Sequence, residues 1–383
     1  MKIFNYAIWR EGKYYVSPCL NNDIASFGES REEALANLIK NTMTYLQRIE
    51  KILKPASNNG YTVLDLFAGC GGLSLGFEAR GFQTLGYEML TDAAETYSQN
   101  LTGQCIIEKI IPTTEYQQTF DVVIGGPPCQ PFSVGGHQKG IDDDRNGFPA
   151  FLGAVRQVQP SLIMFENVRG MLYSNKWYFD EICESVRNEG YIVDYKILNA
   201  VNFGVPQNRE RLFVIGHKGG FRFPASETQK TTVGEAIGDL IETTTDEKKI
   251  LTSSMDRYVA NYEKASQCVN PRDLYPHKPA RTLTCRNIAA PTGDMQRVKL
   301  ADGRRRRIST REAARLQSFP DWFTFYGTET QQYYQIGNAV PPLLAWHLAS
   351  SVLQCLDAKS NLSQKEIVRL NKKLQEEVQM ELF

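Results

Sequence analysis

A strand, a glycine-rich turn and a helix follow one another between residues 61 and 79, and this order constrains the fold more than any other feature. Residues 61–67, Tyr-Thr-Val-Leu-Asp-Leu-Phe, are strand formers. Ala68-Gly69-Cys70-Gly71-Gly72 follows, and residues 73–79 have the composition of a helix. Glycines let the backbone approach a ligand closely, and a helix N-terminus attracts the anionic end of that ligand. The segment therefore predicts an α/β fold with a nucleotide-type site where this strand ends.

A carboxylate in the right place strengthens this interpretation, because a lone glycine turn is a weak signal. Glu88 follows Asp65 by 23 residues and ends the next predicted strand, Thr84–Tyr87. A carboxylate at that position can accept hydrogen bonds from both hydroxyl groups of a ribose. The pair of strands thus predicts a ligand that carries a nucleoside.

A cysteine follows a third predicted strand. The apolar run Phe120–Ile124 leads into Gly125-Gly126-Pro127-Pro128-Cys129. The two prolines fix the backbone and remove N–H donors, so Cys129 is held rigidly where an open α/β sheet has its ligand crevice. A lone cysteine in a turn is more often a buried structural residue. The flanking glycines and prolines favour a nucleophile here.

Two further strand ends carry charged side chains. Glu166-Asn167-Val168 follows the predicted strand Leu162–Phe165, at the same sheet edge as Cys129, although a carboxylate there could also be a plain surface residue. Arg209 and Arg211 precede the predicted strand Leu212–Ile215, and strand alternation places them on the same face. The alternative is that the two arginines are charged side chains of an edge strand, which protect it from pairing with another chain.

The charge distribution bears on a nucleic-acid partner. The net charge is zero, which argues weakly against one, but residues 272–311 contain eleven Lys/Arg and three Asp/Glu. A local basic patch is what phosphate binding requires, because each neutralised phosphate releases counterions. A solvated basic face is the alternative. The glycine-rich segment from Gly135 to Gly147 is long for a connection and predicts a lid, with a simple surface loop as the alternative.

Six blocks from about Tyr61 to about Leu353, among them those quoted above, resemble the DNA (cytosine-5) methyltransferase family in that family's order. The resemblance implies a Rossmann-like, S-adenosylmethionine-dependent methyltransferase sheet with helices on both faces and a small target-recognition domain. It also implies methyl transfer to C5 of a flipped-out cytosine in duplex DNA, at a specific short sequence. The first sixty residues lie outside the resemblance, and we expect them to form an N-terminal α/β appendage.

The resemblance implies four catalytic residues. Cys129 would attack C6 of the cytosine and form a covalent intermediate, and Glu166 would donate a proton to N3. Arg209 and Arg211 would grip the cytosine O2 and a neighbouring phosphate.

The resemblance also implies a set of residues around S-adenosylmethionine, whose product is S-adenosyl-L-homocysteine. Two positions depart from the family pattern: Met89 stands where many relatives have an aromatic ring, and Glu108 takes the place of the usual acid near the adenine amino group. No metal is expected, because the four histidines lie far apart in the sequence. The expected cofactor residues are Asp65, Phe67, Gly69, Gly71, Gly72, Glu88, Met89, Glu108, Pro127, Asn338 and Val340.

Contacts with DNA are implied for residues of the lid, the arginine motif and the recognition region. Arg281-Thr282-Leu283-Thr284-Cys285-Arg286 resembles the Thr-Leu element of the recognition region, and the run Arg304–Arg307 would position phosphates, with a solvated turn as the alternative. The expected nucleic-acid contacts are Ser133, Lys139, Gln207, Arg281, Arg286, Arg304 and Arg305.

We predict four segments along the chain. Through the patterns Tyr14-Tyr15-Val16-Ser17-Pro18 and Ser26–Ala34, residues 1–57 resemble a HicB-like antitoxin domain, with a plain packed appendage as the alternative. Residues 58–217 form the first part of the catalytic and cofactor-binding domain, 218–303 the target-recognition region, and 304–383 the closing part with a C-terminal helix.

The expected partners and location follow from these features. Double-stranded DNA is the expected substrate, a cognate restriction endonuclease is a possible partner, and residues 1–57 could mediate self-association or bind a protein. No membrane partner is expected, because no run of eighteen apolar residues occurs. Eight cysteines without a CxxC pair suggest a reducing compartment, which for this family is the bacterial cytoplasm, beside the nucleoid.

Two alternative functions remain open at this point. The same chemistry on transfer RNA would use the same motifs. A non-catalytic DNA-binding regulator on this fold is less favoured, because Cys129, Glu166 and the Gln207/Arg209/Arg211 set are all intact.

Overall fold

A computed structural model describes residues 8–19, 24–34, 44–128, 146–173, 175–228, 230–243, 246–265, 267, 272–289 and 294–360. The chain divides into two compact units, Met1–Ile52 and Leu53–Phe383. Cys129, Ser133 and Lys139 lie outside the described residues.

The first unit contains a small antiparallel sheet. Its strands are β1 (Trp9–Glu11), β2 (Tyr14–Cys19) and β3 (Ile24–Gly28), and β2 lies in the middle. Residues 31–34 are helical, and the Ser30 hydroxyl accepts a hydrogen bond from the Glu33 amide at 3.0 Å, as an N-cap does. The helix α1 (Tyr45–Ile52) ends the unit.

The second unit is built on a seven-stranded sheet. Its strands, in spatial order, are β6 (Gln104–Ile107), β5 (Gln83–Glu88), β4 (Thr62–Leu66), β7 (Val122–Gly125), β8 (Leu162–Val168), β11 (Glu210–His217) and β9 (Ile192–Asn199). All run parallel except β11, which pairs antiparallel with both β8 and β9.

Helices cover both faces of this sheet, as predicted. Apolar side chains of two helices pack on one face, together with the inward side chains of β4, β7, β8 and β11. On the other face Gly86 of β5 lies against the ring of Tyr97, and the last helix packs along the first one after the glycine turn. The central strands β7 and β8 are almost entirely apolar because both of their faces are covered.

The remaining elements connect and complete this layer. Two short strand pairs join β10 (Gln207–Asn208) to β12 (Ala280–Arg281) in parallel, and β13 (Arg297–Lys299) to β14 (Arg305–Arg307) antiparallel. Short 3-10 segments span Arg169–Leu172, Ala200–Phe203 and Glu247–Lys249. The helices of the second unit are α2 (Gly72–Glu78), α3 (Thr91–Asn100), α4 (Phe148–Val158), α5 (Lys176–Asn188), α6 (Val233–Ile237), α7 (Ser253–Ala265), α8 (Cys285–Ile288), α9 (Thr310–Leu316), α10 (Glu329–Asn338) and α11 (Pro342–Ser360).

One helical stretch of the described chain, Glu329–Ala358, is long and apolar enough to cross a membrane by length and composition alone. It comprises α10 and α11, and 67% of its apolar window is buried inside the protein. Its apolar character is therefore accounted for by burial inside the protein.

Candidate active site and cofactor site

Four parallel strands end at one edge of the sheet and bring the predicted motifs together. Leu66 at the end of β4 pairs with Gly125 at the end of β7, and Gly125 pairs with Phe165 of β8. Glu88 ends β5 on the other side of β4. Because the carboxyl ends of parallel strands form the ligand crevice of open α/β sheets, this edge is the candidate site.

The glycine loop between β4 and α2 has an unusual backbone. Phe67, Gly69 and Gly71 have φ angles of 58°, 55° and 85°, in the left-handed region that favours glycine. Gly72 begins α2, and a Cβ placed on it would lie 2.5 Å from the Val340 carbonyl oxygen. The predicted residue Val340 is thus packed against the loop through its backbone, whereas the Asn338 side chain is exposed.

Glu88 holds the glycine loop and its own strand end together. Its Oε2 accepts a hydrogen bond from the Gly69 amide at 2.9 Å, and its Oε1 accepts one from the Leu90 amide at 2.8 Å. Asp65 lies deeper. Its carboxylate is buried and accepts a hydrogen bond from the Ser74 hydroxyl at 2.6 Å, and burial raises its pKa to about 7. Asp65 therefore supports the loop from the interior of the protein.

An apolar rim borders Glu88. The side chains of Met89, Leu90 and Ile107 are 50–59% exposed, and Ile107 pairs with Glu88 across β5 and β6. The backbone amide of the exposed Glu108 donates to the Glu88 carbonyl at 3.0 Å.

A buried hydroxyl without a partner lies near this rim. Tyr116 is 8% exposed, and its hydroxyl has no hydrogen-bond partner in the described part of the chain. The ring packs edge-on against Tyr87, and burial, together with Tyr87 and Glu108, raises the Tyr116 pKa. A carboxylate, an open glycine backbone, an apolar rim and an orphan hydroxyl together fit a nucleoside-containing cofactor.

Glu166 and Arg211 form the charged centre of the site. Arg211 Nε lies 2.9 Å from Glu166 Oε1, and both side chains are 13% exposed. Burial raises the pKa of Glu166, and Arg211 and then Arg209 offset part of that rise. The net shift favours a proton on Glu166 more than in water.

The strand end of Glu166 is tied to the segment that leads to Cys129. Asn167 Nδ2 donates to the Pro127 carbonyl at 3.0 Å, and a Cβ on Gly126 would lie 3.8 Å from Glu166 Oε2. Pro127 itself is buried. The Gly147 amide donates to the Pro128 carbonyl at 3.0 Å, so the described residues on either side of the segment 129–145 lie next to each other.

Arg209 and Gln207 are both buried inside the protein. β10 ends at Asn208 and β11 begins at Glu210, so Arg209 stands between the two strands, close enough to Glu166 to affect its pKa. The Arg209 guanidinium is buried and donates to the carbonyls of Leu283, Gly337 and Ala339. Gln207 is also fully buried. Neither side chain is on the surface, and their expected contacts with substrate stay predictions.

The arginines that are predicted to contact phosphates differ in whether a carboxylate of the protein already pairs with them. Arg286 on α8 is exposed, and no described residue forms an ion pair with it. Arg304 is exposed and pairs with Asp302 at 2.6 Å. Arg281 pairs with Asp294 at 3.5 Å and is one-third exposed.

Arg305 is different, because it lies among carboxylates. Its Nε is 3.2 Å from Asp273, and Asp256 and Glu263 lie within 4.0 Å. The neighbouring Arg306 is completely buried against Glu312 at 2.7 Å. Half of the basic run 304–307 is thus engaged in ion pairs within the protein, which composition alone could not reveal.

Sequence reasoning missed Tyr116 and Gln317. Tyr116 lies in an irregular segment without a motif. Only its contact with Tyr87 in the fold brings its hydroxyl close to the candidate cofactor site. Gln317 is completely buried within a helix-ending turn, and its partners are far away in the chain. The sequence around it, Arg315-Leu316-Gln317-Ser318-Phe319, mixes polar and apolar residues and carries no signal for this network.

Comparisons with known proteins agree with this geometry. A family model for C-5 cytosine-specific DNA methylase matches residues 61–354. The type II methyltransferase M.AplI of Arthrospira platensis is 51% identical over 325 residues, covering 84% of this chain and 94% of that protein. The type II methyltransferase M1.HphI of Haemophilus parahaemolyticus is 37% identical over 323 residues, covering 76% and 87%. The solved structure of the Entamoeba histolytica methyltransferase EhMeth matches with a TM-score of 0.63 at 18% identity, covering 77% of this chain and 98% of that chain, a likeness of fold.

Proposed function

The chain belongs to the C-5 cytosine-specific DNA methylase family, and from that membership we propose that it methylates C5 of a flipped-out cytosine at a specific short sequence in duplex DNA. It is a DNA (cytosine-5-)-methyltransferase of the type II restriction-modification kind. The observation that carries the proposal is the buried Glu166–Arg211 pair, held by Asn167 against the Pro127 segment that leads to Cys129.

The family is S-adenosylmethionine-dependent, and the residues at the sheet edge fit that cofactor. When bound, S-adenosylmethionine supplies an electrophilic methyl group. Glu88 would accept hydrogen bonds from the ribose, and the backbone of Gly69, Gly71 and Gly72 would lie under the amino-acid part. Phe67, Met89 and Ile107 would cover the adenine, with Glu108 and the Tyr116 hydroxyl near its amino group. Asn338, Val340 and Pro127 would close the methionine end.

Cys129 would act as the nucleophile. An ordinary cysteine is mostly protonated at neutral pH, because its pKa is about 8.5, so the thiolate must be favoured by its surroundings. A cation such as Arg211 beside the sulfur would favour it. The thiolate forms a bond to C6, and the electron pair of the C5–C6 double bond becomes available at C5. After methyl transfer, loss of the C5 proton restores the double bond and expels the Cys129 sulfur.

Glu166 would supply the proton that this attack requires. Negative charge develops at N3 as the sulfur adds to C6, and a protonated carboxyl within hydrogen-bond reach can neutralise it. The raised pKa of the buried Glu166 supports this role. Arg211, 2.9 Å from that carboxylate, would orient it and bind the cytosine O2. Arg209 is assigned a positioning role, because its guanidinium is engaged with backbone carbonyls.

Access to the base requires that it leave the duplex, at a cost of roughly a few kcal/mol. Ser133 and Lys139 would contact the DNA backbone when the lid closes and so offset part of that cost. Arg286, Arg281 and Arg304 would position phosphates and bases along the recognition region. Gln207 and Arg305 would support that region from within, because both are engaged inside the protein.

The setting of the enzyme follows from its family. A bacterial cytoplasm with access to the nucleoid is the proposed location, and a cognate restriction endonuclease is the proposed functional counterpart. The HicB-like residues 1–57 are proposed to mediate self-association or to bind a protein partner, and residues 218–303 to form the recognition region.

The proposal is tested by transfer of labelled methyl groups from S-adenosylmethionine to mixed-sequence duplex DNA, beside a transfer-RNA control. We expect label on DNA at a defined short sequence, and none with Cys129→Ser. Label on transfer RNA alone would replace the substrate while keeping the chemistry. Label on neither, with the cofactor still bound, would refute catalysis and favour a regulatory DNA-binding protein.

A further inference from the structure

A buried polar network connects the cofactor loop with the recognition region, and its centre is Gln317. This side chain is completely buried. Its Nε2 donates to the carbonyls of Ile336 at 3.0 Å and Ala339 at 2.7 Å, and its Oε1 accepts from Gln207 Nε2. Both donors of the Gln317 amide are therefore used, and its oxygen is paired as well.

Gln207 extends the network toward the recognition region. Its Nε2 also donates to the Leu316 carbonyl at 3.2 Å, and its Oε1 accepts from the Leu283 amide at 2.8 Å. Two facing amides that are satisfied at every atom have only one orientation that keeps all of these bonds. A change at one of the two glutamines must therefore disturb the other.

Arg209 forms a second branch between the same two regions. It donates to the Leu283 carbonyl at 2.6 Å and to the Ala339 carbonyl at 3.1 Å. The Ala339 oxygen thus accepts from both Gln317 and Arg209, while Leu283 is held through its amide by Gln207 and through its carbonyl by Arg209.

At the cofactor end, the network reaches the glycine loop through the backbone. A Cβ on Gly72 would lie 2.5 Å from the Val340 oxygen and 3.2 Å from the Ala339 Cβ. This contact leaves no free space, so the segment of Ala339 and Val340 and the glycine loop can only move together.

At the other end, the network reaches the element that carries an exposed cation. Leu283 directly precedes Thr284, whose side chain caps α8 in a capping box with Asn287. Arg286 lies on α8. The position of Leu283 therefore sets where this arginine is presented.

We propose that Gln317 is a positioning residue that couples the cofactor site to target recognition. It holds the Ala339 carbonyl beside the glycine loop and orients Gln207, which in turn holds Leu283. This inference rests on the proposed function, because it takes the glycine loop as the cofactor site and α8 as part of the DNA surface. Binding at either site then favours binding at the other by the same factor.

The test compares the affinity for fluorescent mixed-sequence duplex DNA with and without S-adenosyl-L-homocysteine. In the wild type, S-adenosyl-L-homocysteine is expected to tighten DNA binding at least about fivefold, at the low end of typical couplings. Gln317→Met keeps the side chain's volume and removes its hydrogen bonds. It is expected to lower that factor below about twofold, while the protein still binds each ligand alone.

Gln296→Met is the matched control. Gln296 is also a buried glutamine whose Nε2 donates to backbone carbonyls, those of Arg281 and Thr282, and it makes no hydrogen bond to residues 336–340. The Gln296→Met variant is expected to keep the wild-type coupling factor even if its affinity for DNA changes. Equal loss in both variants would mean that any damage to a buried amide abolishes coupling, and would overturn the specific role of Gln317.

A measurement on the wild type covers the case in which Gln317→Met does not fold. S-adenosyl-L-homocysteine is expected to slow amide hydrogen exchange in the peptide that contains Leu283, whose amide donates to Gln207. Unchanged exchange there, or DNA binding that S-adenosyl-L-homocysteine does not alter, would overturn the coupling while leaving the proposed function standing. Failure of the wild type to bind either ligand would overturn both.

Discussion

Arg211 Nε lies 2.9 Å from Glu166 Oε1 in a site where only 13% of each side chain is exposed. The arginine favours the ionised carboxylate, yet burial outweighs it and the pKa of Glu166 is raised. A carboxyl that readily takes a proton beside a fixed cation can donate to a ring nitrogen that gains charge. Removing one partner of such a buried pair typically costs about 3–5 kcal/mol, because the other charge stays buried alone.

The first prediction concerns the pH dependence of methyl transfer. In the proposed mechanism the protonated form of Glu166 is the active one. Because its pKa is raised, its contribution is full at low pH and is lost as the pH rises through that pKa. Glu166→Gln is neutral at every pH. It should lower the single-turnover rate by about 10²–10⁴ and remove the alkaline decline that Glu166 causes. If the single-turnover rate of the variant still declined at alkaline pH, that decline would belong to another titratable group.

The second prediction concerns cofactor affinity. Glu88 accepts hydrogen bonds from the amides of Gly69 and Leu90. Glu88→Gln replaces one of the two carboxylate oxygens by an NH2 group, so two donors then face each other at one backbone N–H. The variant also weakens any hydrogen bond from a ribose hydroxyl. The dissociation constant for S-adenosyl-L-homocysteine should rise about tenfold or more, or about 1.4 kcal/mol, as measured by calorimetry. Glu181→Gln, on the exposed side of α5, is the control and should bind as the wild type does. Equal affinities for all three proteins would exclude Glu88 from the cofactor site.

The third prediction concerns packing at the glycine loop. Gly72→Ala places a methyl group 2.5 Å from the Val340 carbonyl oxygen, a backbone atom that cannot rotate away. Overpacking of this kind costs about 1–3 kcal/mol, so the free energy of unfolding in urea should fall by that amount. Gly170→Ala is the control, because a Cβ there meets nothing within 4 Å. A Gly72→Ala protein as stable as the Gly170→Ala protein would show that the close approach does not exist in solution.

The fourth prediction separates arginines that contact DNA from arginines that hold the fold. Arg286→Ala should weaken DNA binding and reduce the slope of log affinity against log salt by about 1. Arg305→Ala should leave that slope unchanged and lower stability instead, because Arg305 lies among Asp273, Asp256 and Glu263. Binding titrations at several salt concentrations distinguish the two. A reduced slope for Arg305→Ala would show that Arg305 contacts phosphates.

The sequence predicted those parts of the structure that depend on local pattern. Residues 61–79 and Glu88 lie in the strand, turn and helix that their composition indicates, since β-formers, glycines and strand ends act over short distances. The sheet edge that gathers Glu88, Gly125 and Glu166 followed from the rule for parallel strands.

The remainder depends on contacts between residues far apart in the chain. Arg209 finds its acceptors 74 and 130 residues away, at Leu283 and Ala339, and no local pattern encodes such distances. The alternation argument for Arg209 and Arg211 also did not foresee that Arg209 stands between β10 and β11 rather than within one strand. In the same way, only the fold reveals that Arg305 lies among carboxylates while Arg286 faces solvent.

The central claim is the covalent bond between Cys129 and a cytosine. Its most direct test is mass spectrometry of the protein after incubation with S-adenosylmethionine and mixed-sequence duplex DNA that contains 5-fluorocytosine. The fluorine blocks the loss of a proton from C5, so the adduct cannot resolve by elimination. We predict a stable protein–DNA adduct whose nucleotide maps to Cys129 after digestion, and no adduct with Cys129→Ser. An adduct at another residue, or efficient methylation of ordinary DNA with no adduct on the fluorinated duplex, would contradict the claim.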